Sequence, residues 1–173
     1  MTSEPAPGHA FVWAWLPGAV EPVVAGRLDA VGDLLSFSYA QSYLGRADAV
    51  PLYLPELPLR RGRIDPLGNL TAPGVIEDAG PDAWGQRVVM RHLMDSGSDG
   101  ADPAEVGRLT YLLESGSDRI GALDFQRSAD EYVPRDQGGA ALEELAEAAE
   151  RVERWMPLTP ELDQALLHGS SIG

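Results

Sequence analysis

The chain of 173 residues is long enough for one domain, or for a domain with an appendage. Its formal net charge of −14 argues against direct binding to nucleic acid or to an anionic membrane surface. It contains no cysteine, which excludes disulfides and cysteine-ligated zinc, and no lysine, so that all 13 basic residues are arginine. A Walker-type phosphate loop, a kinase strand lysine and a Schiff-base lysine are therefore excluded within these residues.

The first half of the sequence is typical of β-structure. Residues 1–10 lack the basic start of a signal peptide and are expected to form a flexible tail. Apolar segments at 11–16 and 20–28 flank a turn signal, and residues 34–39 alternate in part. Four prolines between positions 51 and 66 cut the next stretch into short edge strands or loops. A further strand is predicted at 121–125.

Four helices are predicted, mostly in the second half. The first begins at Pro81, and the second is capped by Asp102. The third spans 140–156 with an acidic, solvated face, and the fourth spans 159–167. Strands first and helices later favour an α+β fold with a small antiparallel or mixed sheet.

Several side chains have both a functional and a structural interpretation. Trp84 is expected to be a buried anchor of its helix. Asp78 and Asp82 resemble paired catalytic carboxylates, but helix-start electrostatics explain them more simply. Asp118 and Arg119 suit a turn with a local ion pair better than a catalytic dyad.

No catalytic or metal-binding residue is predicted. The three histidines, at positions 9, 92 and 168, are widely spaced and lack the pattern of metal ligands. Ser115 and Ser117 lie in a glycine turn without the pattern that surrounds a nucleophilic serine.

The last residues are similar to the first half of a glycine-rich phosphate loop. In such a loop glycines allow backbone N–H groups to approach an anionic phosphate. The predicted partial phosphate site consists of Gly169, Ser170, Ser171, Ile172 and Gly173. The lysine, base and metal-binding carboxylates of a nucleotide site do not follow. The alternative is that Gly169 only ends a helix.

Several segments, in a fixed order along the chain, carry a family resemblance. In the first half they are residues 37–39 (Phe-Ser-Tyr), 43–44 (Tyr-Leu), 51–52 (Pro-Leu) and 57–59 (Leu-Pro-Leu). The most specific is 78–87 (DAGPDAWGQR), and 118–125 (DRIGALDF) matches a turn into a strand. With the tail at 168–173, these segments resemble HipA-like proteins over residues 11–173.

HipA-like proteins are serine/threonine kinases, often toxins of bacterial toxin–antitoxin pairs. The resemblance implies a β-rich N-terminal domain with inserted helices at 11–138, a helical connector at 139–168 and the start of the ATP-binding loop at 169–173. The kinase lobe is absent, so this chain alone is expected to have no activity and no cofactor. ATP and Mg would belong to the intact cytoplasmic kinase.

The resemblance also implies a partner and a modified residue. The partner is a helix-turn-helix antitoxin that represses transcription, and the chain itself would not contact DNA or a membrane. Autophosphorylation of the loop would fall on Ser171, with Ser170 as the adjacent candidate.

A second function class remains open. The chain could be a free-standing binding module that pairs with a separate HipA-like kinase and restrains it. A dedicated module is expected to stop before the phosphate loop, so the sequence favours a non-catalytic part of a kinase that is truncated at the loop.

Overall fold

The computed structural model describes residues 7–95, 106–119, 121–135, 149–152, 154 and 159. Close backbone contacts divide the chain into two units. One, the sheet unit, comprises 7–79 and 121–133, and the other, the helical unit, comprises 1–6, 80–120 and 134–173. The described residues contain a five-stranded sheet and helices that come mostly later in the chain, which confirms the predicted α+β class.

The sheet unit is built on an antiparallel sheet. Its strands are β1 (His9–Ala14), β2 (Val23–Val31), β3 (Leu34–Tyr39), β4 (Arg63–Ile64) and β5 (Leu123–Gln126). They lie in the order β4-β3-β2-β1-β5, and each neighbouring pair is antiparallel. β5 therefore joins the edge of a sheet whose other strands come from the first 64 residues.

Strand β2 is shifted toward the C-terminus relative to its predicted limits of 20–28. The strand continues to Val31, past the charged side chain of Asp29. Arg27 and Asp29 lie on the same side of the strand and form an ion pair of 3.0 Å, so Asp29 is accommodated within the strand. The turn into β3 places Val31 opposite Leu34. Gly32 has a φ of 60° in this turn, a conformation that glycine adopts without steric cost.

A close approach between β2 and β3 requires a second glycine. Gly26 lies opposite Val12 on one side and Tyr39 on the other. A Cβ atom at Gly26 would lie 2.5 Å from Cζ of Phe37, and closer still to the carbonyl oxygen of Ser38. The fully buried ring of Phe37 thus occupies the space that a side chain would need.

Two short helices complete the sheet unit. They are α1 (Gln41–Leu44) and α2 (Gly74–Asp78), and the sequence analysis predicted neither. Helices of four and five residues show no 3.6-residue periodicity, so their sequences do not distinguish them from turns. The first amide of α2, from Gly74, donates to a carboxylate oxygen of Glu56 over 2.5 Å.

The first helix of the helical unit is α3 (Ala83–Asp95). It was predicted to begin at Pro81, but Asp82 is the cap, because its Oδ1 accepts the amide of Gly85 over 2.7 Å. Val88 and Val89 of α3 are fully buried in a cluster with Val152. Trp84 packs against this cluster but is only partly buried, so its predicted burial is confirmed in part.

The second helix of this unit is α4 (Arg108–Glu114). Its apolar side chains Leu109, Leu112 and Leu113 are buried, as the periodicity predicted. The proposed cap Asp102 lies outside the described residues, and Gly107 occupies the N-cap position of the helix as described.

Several predictions concern residues that the structure does not describe. Of the predicted third helix, the structure describes residues 149–152, which are helical, and residue 154, whose amide donates to the carbonyl of Glu150 over 3.1 Å. Of the predicted fourth helix it describes only position 159. Most of the proposed connector and the whole of 160–173 lie outside the described residues. In the part that is described, no helix has the length and apolar character needed to cross a membrane.

Candidate functional site

The predicted phosphate loop stays a prediction. Residues 169–173, including both candidate phosphoacceptor serines, lie outside the described residues, as does His168. Within the ranges that are described, no group of three or more His, Asp or Glu side chains could hold a metal ion. His9 packs edge-on against Phe11, with ring centroids 5.4 Å apart.

The two carboxylates that resembled a catalytic pair have separate positions in the chain's helices. Asp82 caps α3, so helix-start electrostatics do explain it. Asp78 is the last residue of α2, and helix-start electrostatics therefore do not explain its position. Its side chain is exposed.

Ser115 is a structural residue at the end of α4. It is fully buried, and its hydroxyl donates to the carbonyl of Tyr111 over 2.7 Å. Arg119 donates to the Ser115 hydroxyl over 2.9 Å and to the carbonyl of Leu112 over 2.6 Å, while Arg135 donates to the carbonyl of Ser115 over 2.9 Å. Two guanidinium groups thus satisfy the carbonyl end of α4, where positive charge is favourable.

Asp124 is a fully buried carboxylate on the edge strand β5, and the sequence analysis did not single it out. Its oxygens accept the amide of Phe125 over 2.7 Å, the side-chain amide of Gln126 over 2.9 Å and the hydroxyl of Tyr132 over 3.1 Å. The ring of Tyr132 in turn lies 5.5 Å from that of Trp13. Asp124 therefore attaches the segment after β5 to the sheet.

A surface turn between α1 and β4 is attached to the sheet by two tyrosines. The hydroxyl of Tyr39 donates to the carbonyl of Leu57 over 2.6 Å and accepts the amide of Leu52 over 2.9 Å. The hydroxyl of Tyr43 donates to the carbonyl of Val50 over 2.8 Å, and the two rings stack 5.7 Å apart. Burial raises the pKa of both tyrosines above its ordinary value. Both hydroxyls therefore stay protonated as donors at neutral pH.

The tyrosine-anchored turn exposes apolar side chains. Leu54 is 65% exposed and Tyr53 is 47% exposed. Residues 59–63 follow as a second exposed segment that contains three arginines. We name residues 50–54 the apolar turn and residues 59–63 the arginine segment.

A buried hydroxyl beside the arginine segment lowers the pKa of a neighbouring carboxylate. The hydroxyl of Ser36 donates to Asp65 over 2.6 Å, and this hydrogen bond is the main cause that lowers the pKa of Asp65. Arg63, which lies 2.9 Å from the same carboxylate, also lowers this pKa through a hydrogen bond and through its charge. Because the pKa of Asp65 is lower in the folded state than in the unfolded state, its ionised carboxylate stabilises the fold. This contribution is present above the unfolded-state pKa and is lost as pH falls through the folded-state pKa.

We expect Ser36→Ala to raise the pKa of Asp65 toward its ordinary value, because the strongest hydrogen bond to the ionised form is removed. Arg63→Gln should also raise the pKa of Asp65, because it removes a hydrogen bond and a positive charge from the same carboxylate. The measurement is an NMR titration of the side-chain carboxyl carbon of Asp65. An unchanged pKa in Ser36→Ala would show that the hydroxyl does not stabilise the carboxylate in solution.

Comparison with known proteins decides the family. In a scan against protein-family models, the HipA N-terminal domain matches residues 19–126, well over half of the chain. The chain belongs to the HipA N-terminal domain family. The matched region of this HipA N-terminal domain contains β2 to β5, the apolar turn and the arginine segment. Comparison with curated proteins found no match.

Proposed function

We propose that this HipA N-terminal domain is the non-catalytic N-terminal part of a HipA-like serine/threonine kinase. The observation that carries the proposal is the family match over residues 19–126. That match includes most of the sheet and all four named helices, so the resemblance covers a folded body rather than one motif.

The roles of the described polar residues support a non-catalytic part. Asp82 is a helix cap, Ser115 closes α4, and Asp124 holds the segment after β5. Each of these side chains forms its hydrogen bonds with nearby backbone groups or neighbouring side chains. A catalytic carboxylate or nucleophile instead directs them toward a substrate.

The nucleotide chemistry is proposed for the intact kinase. Residues 169–173 would contribute backbone amides to the ATP phosphates, and the kinase lobe would supply the lysine, the catalytic base and the Mg ligands. The proposed partner is a helix-turn-helix antitoxin, and the proposed setting is the bacterial cytoplasm.

A chimera tests this proposal. Residues 1–173 joined to the catalytic lobe of a HipA-like kinase should transfer phosphate from Mg-ATP, whereas the same residues alone should bind ATP no better than millimolar and transfer none. Calorimetry measures the affinity, and mass spectrometry measures the transferred phosphate. A folded chimera without transfer, or micromolar ATP binding by the isolated chain, would contradict the proposal.

The same chimera locates the modified serine. Ser171 is the proposed phosphoacceptor, because a phosphate there adds roughly −1.5 to −2 charge beside the amides that would bind ATP. Ser171→Ala should therefore keep its activity during incubation with Mg-ATP, and Ser170→Ala is the matched control. If only Ser170→Ala escapes inactivation, the assignment moves to Ser170.

The free-standing module has its own outcome in this experiment. If the chain is a free-standing module, it should bind a separate HipA-like kinase and lower the rate at which that kinase transfers phosphate. Binding of this kind without activity in the chimera would favour the module over the kinase part.

A further inference from the structure

Hydrogen bonds attach the backbone of the apolar turn to the sheet, while the side chains of Val50, Tyr53 and Leu54 are exposed. Tyr39 and Tyr43 bond the backbone at Val50, Leu52 and Leu57. The amide of Leu57 also donates to the carbonyl of Tyr53 over 2.7 Å, which closes the turn on itself. A partner that binds here would therefore not have to order the backbone, which removes part of the entropy cost of association.

The exposed side chains of this turn are of the kind that anchor interfaces. Single exposed apolar residues are common on protein surfaces and need no explanation. Here Val50, Tyr53 and Leu54 are exposed within five residues, and the hydrogen bonds above fix their backbone. Large apolar and aromatic side chains on a fixed backbone are typical of the few residues that dominate binding energy.

The arginine segment specifies the charge of the partner. Arg60, Arg61 and Arg63 are all exposed, and no acidic residue interrupts the segment. Arg63 pairs with Asp65, and the guanidinium of Arg60 donates to the carbonyl of Arg63 over 3.0 Å. In the described part of the chain, Arg61 forms no hydrogen bond or ion pair. These three arginines make a local positive surface on a chain of net charge −14.

We infer that the apolar turn and the arginine segment together dock a protein segment in which an apolar anchor is flanked by Asp or Glu. The apolar side chains would supply most of the affinity. The arginines would orient the acidic residues, because the rest of this acidic chain repels them. The docking surface lies wholly within the sheet unit and does not depend on the proposed kinase function.

Selection from a random peptide library tests the inference without assuming a partner. The immobilised full chain should enrich peptides with a large apolar residue beside Asp or Glu. Binding of an enriched peptide should weaken about tenfold in Leu54→Ser. It should weaken several-fold in Arg61→Gln at low salt, with the Arg61 effect shrinking as salt is added.

Matched variants on another surface provide the controls. Val20→Ser removes an apolar side chain that is 91% exposed, and Arg27→Gln removes a surface arginine outside the two segments. Both should leave peptide binding unchanged. The inference would be overturned if the selection enriched no peptides, or enriched basic or uncharged ones. Equal effects of the test and control variants on peptide binding, or binding of duplex DNA in place of the peptides, would also overturn it.

Discussion

Gly26→Ala should lower the free energy of unfolding of the sheet unit by about 2–3 kcal/mol. The added Cβ would lie 2.5 Å from Cζ of Phe37, and it would also meet the carbonyl oxygen of Ser38, which is backbone and cannot turn away. The strands must therefore separate at the centre of the sheet. Urea unfolding followed by tryptophan fluorescence, to which Trp13 and Trp15 of the sheet unit contribute, measures the change.

Gly8→Ala is the matched control for this substitution. A Cβ at Gly8 would find no atom within 4 Å, although its carbonyl accepts the amide of Ala30 at the end of the same sheet. We expect its unfolding free energy to change by no more than about 0.5 kcal/mol. Equal urea midpoints for the two variants would show that β2 and β3 can adjust to a side chain at Gly26.

Asp124→Ala should destabilise the sheet unit by about 3 kcal/mol or more. The substitution leaves the amide of Phe125, the side-chain amide of Gln126 and the hydroxyl of Tyr132 without this acceptor. A buried donor that loses an acceptor costs up to about 1–3 kcal/mol, although the side-chain amide of Gln126 keeps its bond to the carbonyl of Val133. Urea unfolding again measures the loss.

Tyr132→Phe tests one hydrogen bond of the Asp124 carboxylate by itself. It removes the hydrogen bond from the Tyr132 hydroxyl to Asp124 and keeps the ring that packs 5.3 Å from Trp15, so we expect a loss of about 1 kcal/mol. If Asp124→Ala costs no more than Tyr132→Phe, the carboxylate has no structural role beyond its bond to the tyrosine.

The sequence predicted most of the elements whose signals are local. Apolar segments and turn residues located strands near β1, β2, β3 and β5, and the 3.6-residue period located α3 and α4. The ends were less accurate, because a cap such as Asp82 is defined by a hydrogen bond rather than by its neighbours in sequence. Helices α1 and α2 were too short to show a period.

The candidate surfaces were much less predictable. For residues 57–59 the sequence offered a proline in a stretch of short strands or loops and a family resemblance, and neither indicated that the hydroxyl of Tyr39 would donate to the carbonyl of Leu57. In the sequence, Asp124 was one residue of a predicted turn and strand. The structure shows that it is fully buried and accepts the hydroxyl of Tyr132. The sequence placed Ser115 in a glycine turn but did not indicate that it is buried at the end of α4, where two arginines donate to it.

By itself, the sequence determined the α+β class, the absence of lysine and cysteine chemistry, and a resemblance that the family comparison confirmed. Only the tertiary structure decided that β5 lies beside β1, that a side chain at Gly26 would meet Phe37 and the backbone of Ser38, and that the apolar turn is hydrogen-bonded to the sheet. The physical reason is the range of the interactions. Periodicity and capping depend on residues within about one helical turn, whereas Trp13 bonds a carbonyl 115 residues away.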